Sequence, residues 1–184
     1  MQNKETGPLQ DAQEALKVIR LRAKEWNINP ARVGVMGFSA GGHLAATLGT
    51  HFTTAVLENK ENVSLRPDFM ILVYPVISFT DSLMHKGSRE KLIGVNASNE
   101  KVILYSNELQ VTPQTPPTFL VHSQDDKSVP VNNSIFFYQA LVKNKVLGEL
   151  HVYPKGGHGY GMNNLTTKAK WFDRAVEWLR EAGF

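Results

Sequence analysis

The amino-acid sequence predicts an α/β fold, a three-layer α/β/α sandwich with a mostly parallel sheet. Short apolar segments of strand length alternate along the chain with helix-forming segments. That alternation is the pattern of a parallel sheet covered by helices on both faces. The 184 residues, of which 42% are hydrophobic and 20% charged, are enough for one domain with a sizeable core. We therefore expect residues 1–184 to form a single domain.

The first part of the chain predicts a helix, a strand and a second helix. Apolar residues recur at three- and four-residue steps over residues 9–26, as in an amphipathic helix, and Pro30 favours a helix end before that point. Residues 32–36 form a short apolar segment typical of a strand. The glycine-rich residues 37–43 predict a sharp turn, and the small residues that follow predict a helix over residues 44–52.

The second part of the chain continues the alternation. Residues 68–74 and 117–122 are continuous apolar runs that predict central parallel strands. Residues 150–153 predict a further strand, and residues 135–142 predict the helix that leads to it. The last predicted helix covers residues 168–182 and ends at a glycine.

One segment, residues 78–117, breaks this pattern. It is polar, and glycines and a proline-rich end interrupt it. We expect it to be a lid-like insertion over one edge of the sheet. Because the segment is long for a structureless loop, we predict short helices within it, around residues 90–92 and 100–105.

Composition excludes several classes of function. The sequence contains no cysteine, which excludes cysteine nucleophiles, thiolate zinc sites and iron–sulfur clusters. The net charge is only +3 and the basic residues form no stripe, so a nucleic-acid partner is not expected. The longest apolar run, residues 69–77, contains Pro75 and is too short to span a membrane, so no membrane partner is expected. The six histidines show no metal-ligand spacing, and we expect neither a metal nor another cofactor. The compartment stays open.

Residues 37–41, Gly-Phe-Ser-Ala-Gly, match the G-x-S-x-G motif between a predicted strand and a predicted helix. At such a turn the serine is held in a strained conformation with its Oγ exposed, and small flanking residues let the strand and helix approach each other. Ser39 is therefore a candidate nucleophile, and the N–H of Ala40 is a candidate donor to an oxyanion. The alternative is a tight glycine turn with a capping serine.

A serine nucleophile needs a base and an acid that orients the base, and candidates follow in the order acid, then histidine. Asp126 follows the predicted strand at residues 117–122, at the carboxyl end of a parallel strand, where α/β active sites form. Asp125 competes with it. His158 lies in a loop after the next predicted strand, with glycine on either side.

The other histidines have structural explanations. His122 ends a predicted strand and His151 lies inside one, so both are expected to be hydrogen-bonded structural residues. His43 lies one turn into the helix after Ser39 and is expected to pack behind the turn. His51 and His85 have no supporting context.

With these motifs the sequence resembles the α/β-hydrolase superfamily, and within it the acetylxylan-esterase-like and esterase-lipase serine hydrolases related to the prolyl-oligopeptidase group. The resemblance rests on residues 29–45, 115–120, 126–130 and 156–159, and it extends over nearly the whole chain. It implies Ser39 as nucleophile, Asp126 as acid and His158 as base. The D-x-x-V-P register of residues 126–130 favours Asp126 over Asp125.

The resemblance implies a serine carboxylesterase that hydrolyses ester bonds, with acetyl esters of xylan or a related sugar as the preferred substrate. One alternative is a prolyl-oligopeptidase-like peptidase, although no gating domain is present. Another is a catalytically inactive remnant. A glycosidase needs two facing carboxylates, and no acidic pair in the sequence has a supporting motif.

The sequence departs from the family at its beginning. Family members have several strands before the helix that starts here near Leu9, and one of the loops carries an H-G-G-type motif that donates a second oxyanion N–H. The sequence has no such motif. We therefore expect the chain to be N-terminally truncated and to rely on Ala40 alone, and losing one oxyanion donor typically lowers turnover ~10²–10³-fold. The predicted strand from Val33 to Met36 would then form an exposed apolar edge, through which a homo-oligomer can form.

Overall fold

A computed structural model of the chain describes residues 3–80 and 82–184. Within these residues the chain forms a four-stranded sheet in the order β1-β2-β3-β4, with all neighbouring strands parallel. The strands are β1 (Val35–Phe38), β2 (Met70–Val73), β3 (Thr118–Ser123) and β4 (Gly148–Tyr153). The helices are α1 (Gly7–Leu21), α2 (Ala40–Thr50), α3 (Lys86–Ile93), α4 (Asn99–Leu104), α5 (Asn132–Lys143) and α6 (Trp171–Glu181).

Helices cover both faces of the sheet. On one face, α2 and α5 pack on β2 and β3, and the buried side chains there include Ala45, Ala46, Leu72, Leu120, Phe137 and Leu141. On the other face, α6 packs on the same strands through Trp171, Ala175, Trp178, Ile71, Phe119 and Val121. Helices α2 and α5, which connect β1 to β2 and β3 to β4, thus lie on the same face, and α6, which follows β4, lies on the other. The predicted three-layer α/β/α sandwich is confirmed.

Helix α1 ends earlier than the sequence predicts. Its last residue is Leu21, whereas the prediction extended to Trp26. Asn27 has a φ of 53°, and the N–H of Ile28 donates to the carbonyl of Ala23 at 3.0 Å. These two features end the turns that follow the helix, whereas α1 itself ends at Leu21, where the N–H of Ala23 donates to the carbonyl of Arg20 at 3.4 Å instead of continuing the α-helical bonds. Trp26 lies in the turns that follow α1 and is 43% exposed.

Strand β1 begins and ends later than the predicted segment of residues 32–36. The N–H of Val33 donates to the carboxylate of Asp68 at 2.8 Å, and the N–H of Asp68 donates to the carbonyl of Val33 at 2.8 Å, so Asp68 holds the approach to the sheet through both its side chain and its backbone. The ladder begins with Val35 opposite Met70 and runs to Phe38 opposite Val73. Gly37 and Phe38, which belong to the predicted turn, therefore form the end of the strand.

Strand β1 lies at one edge of the sheet described above. Met36 on this strand is 39% exposed, which is unusual for a large apolar side chain in a parallel sheet. The association of copies of this chain through the edge from Val33 to Met36 stays a prediction.

The segment from residue 78 to residue 117 contains α3, α4 and a 3₁₀ turn, Asn107–Leu109. The two predicted short helices are thus confirmed, although α3 is longer than expected. Asn133 of α5 ties the start of the segment, because its side-chain oxygen accepts from the N–H groups of Ile77 and Ser78 at 2.9 Å each. Its amide nitrogen donates to the carbonyl of Leu83 at 2.9 Å. A lid-like role for the segment stays a prediction.

Candidate active site

Ser39 lies at the sharp turn between β1 and α2. Its φ of 53° and ψ of −120° belong to a region that L-residues rarely occupy, at a cost on the order of 1–3 kcal/mol. Backbone bonds to β2 and to the residues after it hold it there: its N–H donates to the carbonyl of Val73 at 3.1 Å, and its carbonyl accepts from the N–H of Val76 at 3.0 Å. The strained serine is therefore fixed by the chain on both sides of the end of β2.

The glycines of the motif have different roles. A Cβ added to Gly37 would lie 2.2 Å from the carbonyl oxygen of Gly41, and one added to Gly42 would lie 2.6 Å from the Cβ of Pro75. A Cβ added to Gly41 would meet no atom within 4 Å. The expectation that both Gly37 and Gly41 must be small for the strand and helix to approach is correct for Gly37 and wrong for Gly41. Gly42 is the second position of this turn at which the packing leaves no room for a side chain.

Ser39, His158 and Asp126 form one continuous hydrogen-bonded chain. The Oγ of Ser39 lies 2.8 Å from Nε2 of His158, and Nδ1 of His158 lies 2.6 Å from Oδ2 of Asp126. A carboxylate accepts only, so Nδ1 carries the hydrogen and Nε2 is left free to accept from the serine hydroxyl. The three residues come from the loops after β1, β4 and β3, whose carboxyl ends meet at one edge of the sheet.

Asp126 is held as a carboxylate by four donors. Its side chain is fully buried, and its Oδ1 accepts from the N–H groups of Ser128 and Val129 at 2.9 Å each. Its Oδ2 accepts from His158 and faces Nε2 of His122 at 3.2 Å. Burial opposes ionisation, but the hydrogen bonds from His122, Val129, His158 and Ser128 together hold the pKa of Asp126 below its usual range.

Asp125 has a different role from its neighbour. Its Oδ1 accepts from the N–H of Gly157 at 2.8 Å. Gly157 immediately precedes His158 in the sequence. Asp125 thus fastens the loop that carries the histidine, while Asp126 binds the histidine ring itself.

Three further histidines have structural contacts, and one of them, His122, also faces the carboxylate of Asp126. His43 is buried, its Nε2 lies 2.8 Å from the carbonyl oxygen of Tyr105, and burial lowers its pKa to about 4. His151 in β4 lies 2.6 Å from Glu149. His122 is fully buried and lies 2.8 Å from Ser134 in α5. The hydrogen-bonded structural roles predicted for His122 and His151 are confirmed, and His43 is a buried residue that stacks on Phe79.

Sequence reasoning missed Tyr74. Its ring centre lies 4.8 Å from that of His158, and its hydroxyl accepts from the N–H of Gly161 at 2.9 Å. Its φ of 36° is positive, which is rare for an aromatic residue. The available signal was its position directly after β2, at the sheet edge where the other loops converge.

The first turn of α2 borders a cavity of about 730 Å³. Its lining includes Ala40, Gly41, Leu44, Phe79 and Leu92. Ala40 is the first residue of α2, and N–H groups of a first helical turn have no carbonyl of a preceding turn to donate to. The Ala40 N–H therefore suits an anionic oxygen formed beside Ser39.

Residues 3–80 and 82–184 contain neither a metal-binding cluster nor a membrane-spanning helix. No group of three or more His, Asp or Glu side chains in these ranges is arranged to hold a metal ion. In the same ranges, no helix combines the length and the apolar character that crossing a bilayer requires.

Comparison with known proteins identifies the family. The profile of the BD-FAE family matches residues 1–141. The chain belongs to the BD-FAE family. Its fold is that of α/β-hydrolase esterases: it superposes on the acetyl ester-xyloside bifunctional hydrolase from Caldicellulosiruptor lactoaceticus with a TM-score of 0.90 and 44% identity, over 96% of this chain and 66% of that one.

Two curated relatives of this BD-FAE chain are longer. It is 39% identical over 166 residues to endo-1,4-beta-xylanase B of Butyrivibrio fibrisolvens, covering 89% of this chain and 26% of the relative. It is 35% identical over 182 residues to the acetylxylan esterase of Xylanibacter ruminicola, covering 97% of this chain and 35% of the relative. The chain thus spans about a quarter to a third of these proteins.

Proposed function

We propose that this chain carries a serine carboxylesterase activity that removes acetyl groups from xylan or a related sugar. The observation that carries the proposal is the hydrogen-bonded chain from Ser39 Oγ through His158 to Asp126, with distances of 2.8 and 2.6 Å. Nucleophile, base and orienting acid are within hydrogen-bonding reach of one another, which is what serine acyl transfer requires.

In the first half of the proposed reaction, Ser39 Oγ attacks the carbonyl carbon of the ester while Nε2 of His158 takes the hydroxyl proton. The resulting oxyanion receives the N–H of Ala40. The tetrahedral intermediate collapses when the carbon–oxygen bond to the sugar breaks, and His158 returns the proton to the leaving sugar hydroxyl. Ser39 is left acetylated.

In the second half, water attacks the acetyl carbon and gives its proton to His158. The bond to Ser39 Oγ then breaks, the serine recovers the proton, and acetic acid is released. Asp126 keeps its negative charge throughout, holding His158 in the tautomer that accepts from Ser39 and stabilising the imidazolium between steps. The low pKa of Asp126 supports this assignment.

The choice of substrate rests on relatives. One is named an acetylxylan esterase and another an acetyl ester-xyloside bifunctional hydrolase. Xyloside cleavage is not proposed for this chain, because a glycosidase needs two facing carboxylates. Asp126 is buried and bonded to His158, and Asp125 is bonded to the Gly157 N–H.

The test measures acetate release from acetylated xylo-oligosaccharides and hydrolysis of p-nitrophenyl acetate by the 184-residue chain. Ser39→Ala is expected to abolish both activities. Ser64→Ala is the matched control, because Ser64 is exposed in the loop before β2 and its loss is expected to change neither. Turnover that survives Ser39→Ala would refute the proposal, and xylose release without acetate release would assign the chain to glycoside hydrolysis instead.

A further inference from the structure

The carboxylate of Asp126 faces two imidazoles rather than one. Its Oδ2 lies 2.6 Å from Nδ1 of His158 and 3.2 Å from Nε2 of His122. His122 and the side chain of Asp126 are both fully buried. A second histidine on the same oxygen is not needed for the reaction described above, and a buried polar ring persists only where its bonds are satisfied.

The partners of His122 fix which of its nitrogens carries a hydrogen. Nε2 lies 3.0 Å from the carbonyl oxygen of Val129, which can only accept, so Nε2 must donate. The same N–H is shared with Asp126. In a neutral ring Nδ1 then accepts, and the hydroxyl of Ser134 lies 2.8 Å away to donate to it. Ser134 is fully buried in α5.

We propose that Ser134 and His122 are positioning residues that act on the reaction through Asp126. The hydroxyl of Ser134 donates to Nδ1 of His122 and keeps the hydrogen on Nε2, and Nε2 donates to Asp126 Oδ2. The hydrogen-bonded chain therefore continues beyond the acid, from Ser39 to Ser134. The hydrogen bonds of His122 do not depend on the proposed function. Only the expected effect on turnover rests on it.

The arrangement has two physical effects. The N–H of His122, together with those of Ser128 and Val129, fixes the plane of the carboxylate so that Oδ2 points at His158. The donated hydrogen also draws charge from Oδ2, so that Asp126 stays ionised in a buried site and binds the imidazolium of His158 less tightly than an unshared carboxylate would. His158 then returns its proton to the leaving group more readily.

The groups that titrate around Asp126 come from several elements. His122 belongs to β3 and His158 to the loop after β4. Tyr74 follows β2 and Tyr160 follows His158; burial raises the pKa values of both tyrosines and the charge of Asp126 adds to the rise. Between pH 5 and 8 both tyrosines stay neutral, so neither contributes to a change of the pH profile in that range.

The test compares His122→Leu with His122→Gln. Leucine removes the donor, so kcat is expected to fall roughly 10- to 100-fold with little change in KM. The acid limb of kcat/KM is expected to move to higher pH, because an unshared carboxylate favours the imidazolium. Glutamine presents an amide N–H near the position of Nε2. It is expected to restore most of kcat and to return the acid limb close to its wild-type position. His43→Leu, which removes another buried histidine, controls for lost packing and should not move the acid limb.

A second measurement does not depend on turnover. Nitrogen-15 NMR of the folded chain should find one bare ring nitrogen on His122, Nδ1, and its resonance should shift in Ser134→Ala. Two protonated nitrogens, or a bare Nε2, would overturn the inference. So would a His122→Leu profile with an unmoved acid limb. If the wild-type chain has no Ser39-dependent turnover, the proposed function fails and the NMR result alone decides the tautomer.

Discussion

A Cβ added to Gly37 would lie 2.2 Å from the carbonyl oxygen of Gly41, so the end of β1 touches the backbone of the first turn of α2. This contact sets how sharply the chain turns at Ser39, between the two glycines. Gly41 is not crowded in the same way, because a Cβ added there would meet no atom within 4 Å. Two glycines of one motif are therefore not equivalent.

Gly37→Ala is expected to lower the free energy of unfolding by roughly 1–3 kcal/mol, since the added methyl group must push two backbone segments apart. Gly41→Ala is the matched control; alanine has the higher helix propensity, so stability is expected to stay the same or rise by up to about 1 kcal/mol. Urea unfolding of both variants checks this. Equal destabilisation by both substitutions would show that the packing of Gly37 does not set the turn.

Asp126→Asn is expected to lower kcat roughly 10³–10⁴-fold, because an amide in place of the carboxylate no longer holds the tautomer and charge of His158. Asp125→Asn keeps the oxygen that accepts from Gly157 and is expected to lower kcat at most about fivefold. Steady-state kinetics on p-nitrophenyl acetate compares the two variants. A larger loss from Asp125→Asn would reverse the assignment of the acid.

Tyr74→Phe is expected to leave the ring against His158 and to release the N–H of Gly161. A fully buried donor without a partner costs about 1–3 kcal/mol; because Gly161 is half-buried, the loss should lie at the lower end of that range, and unfolding should require correspondingly less denaturant. Amide hydrogen exchange at Gly161 should become faster. Tyr153→Phe is the control, because the Tyr153 hydroxyl donates to the carbonyl of Ala169 at an exposed site. Unchanged exchange at Gly161 in Tyr74→Phe would show that this bond does not restrain the loop.

His43 is expected to make stability depend on pH. Burial lowers its pKa from 6.5 to about 4 in the folded chain, so the unfolded chain binds more protons between these values. Its contribution is fully present above pH 6.5 and is lost as pH falls toward 4, by about 3 kcal/mol in all. Urea unfolding at pH 7.5 and pH 5 should show the loss in the wild type.

In the same measurement His43→Gln should flatten the dependence, since glutamine can donate to the carbonyl of Tyr105 without titrating. His51, whose pKa burial also lowers, adds to the slope in the same window. His51→Gln is therefore the comparison. It should reduce the pH dependence of stability less than His43→Gln does, because the His51 ring is only half-buried. A slope unchanged by His43→Gln would contradict the account of His43.

The alternation of strands and helices was predictable because each element has its own local signal. Continuous apolar runs marked β2 and β3, and the glycine-rich turn marked the start of α2. The limits of β1 and α1 were not predictable, because contacts distant in sequence set them. Val33 is bound by the side chain of Asp68, 35 residues further along the chain.

At the candidate site, sequence order and motif pointed to Ser39, Asp126 and His158. The contacts of His122 and Tyr74 were not predictable, because they depend on side-chain directions at strand ends rather than on local pattern. The sequence predicts a structural role for His122, and it has one, but its contact with Asp126 exists only because β3 ends where the acid-bearing loop folds back. Tyr74 and His158 are 84 positions apart in the sequence, and their rings are in contact because β2 and the loop after β4 end at the same edge of the sheet.

The central claim is that Ser39 is an activated nucleophile, and covalent labelling tests it most directly. The folded chain is treated with a fluorophosphonate probe, and intact-mass and peptide mass spectrometry then count and locate the adducts. We expect one adduct, on Ser39, that is absent from Ser39→Ala and forms far more slowly in His158→Ala. A folded wild-type chain whose Ser39 stays unlabelled, or whose labelling is equally fast without His158, would contradict the account.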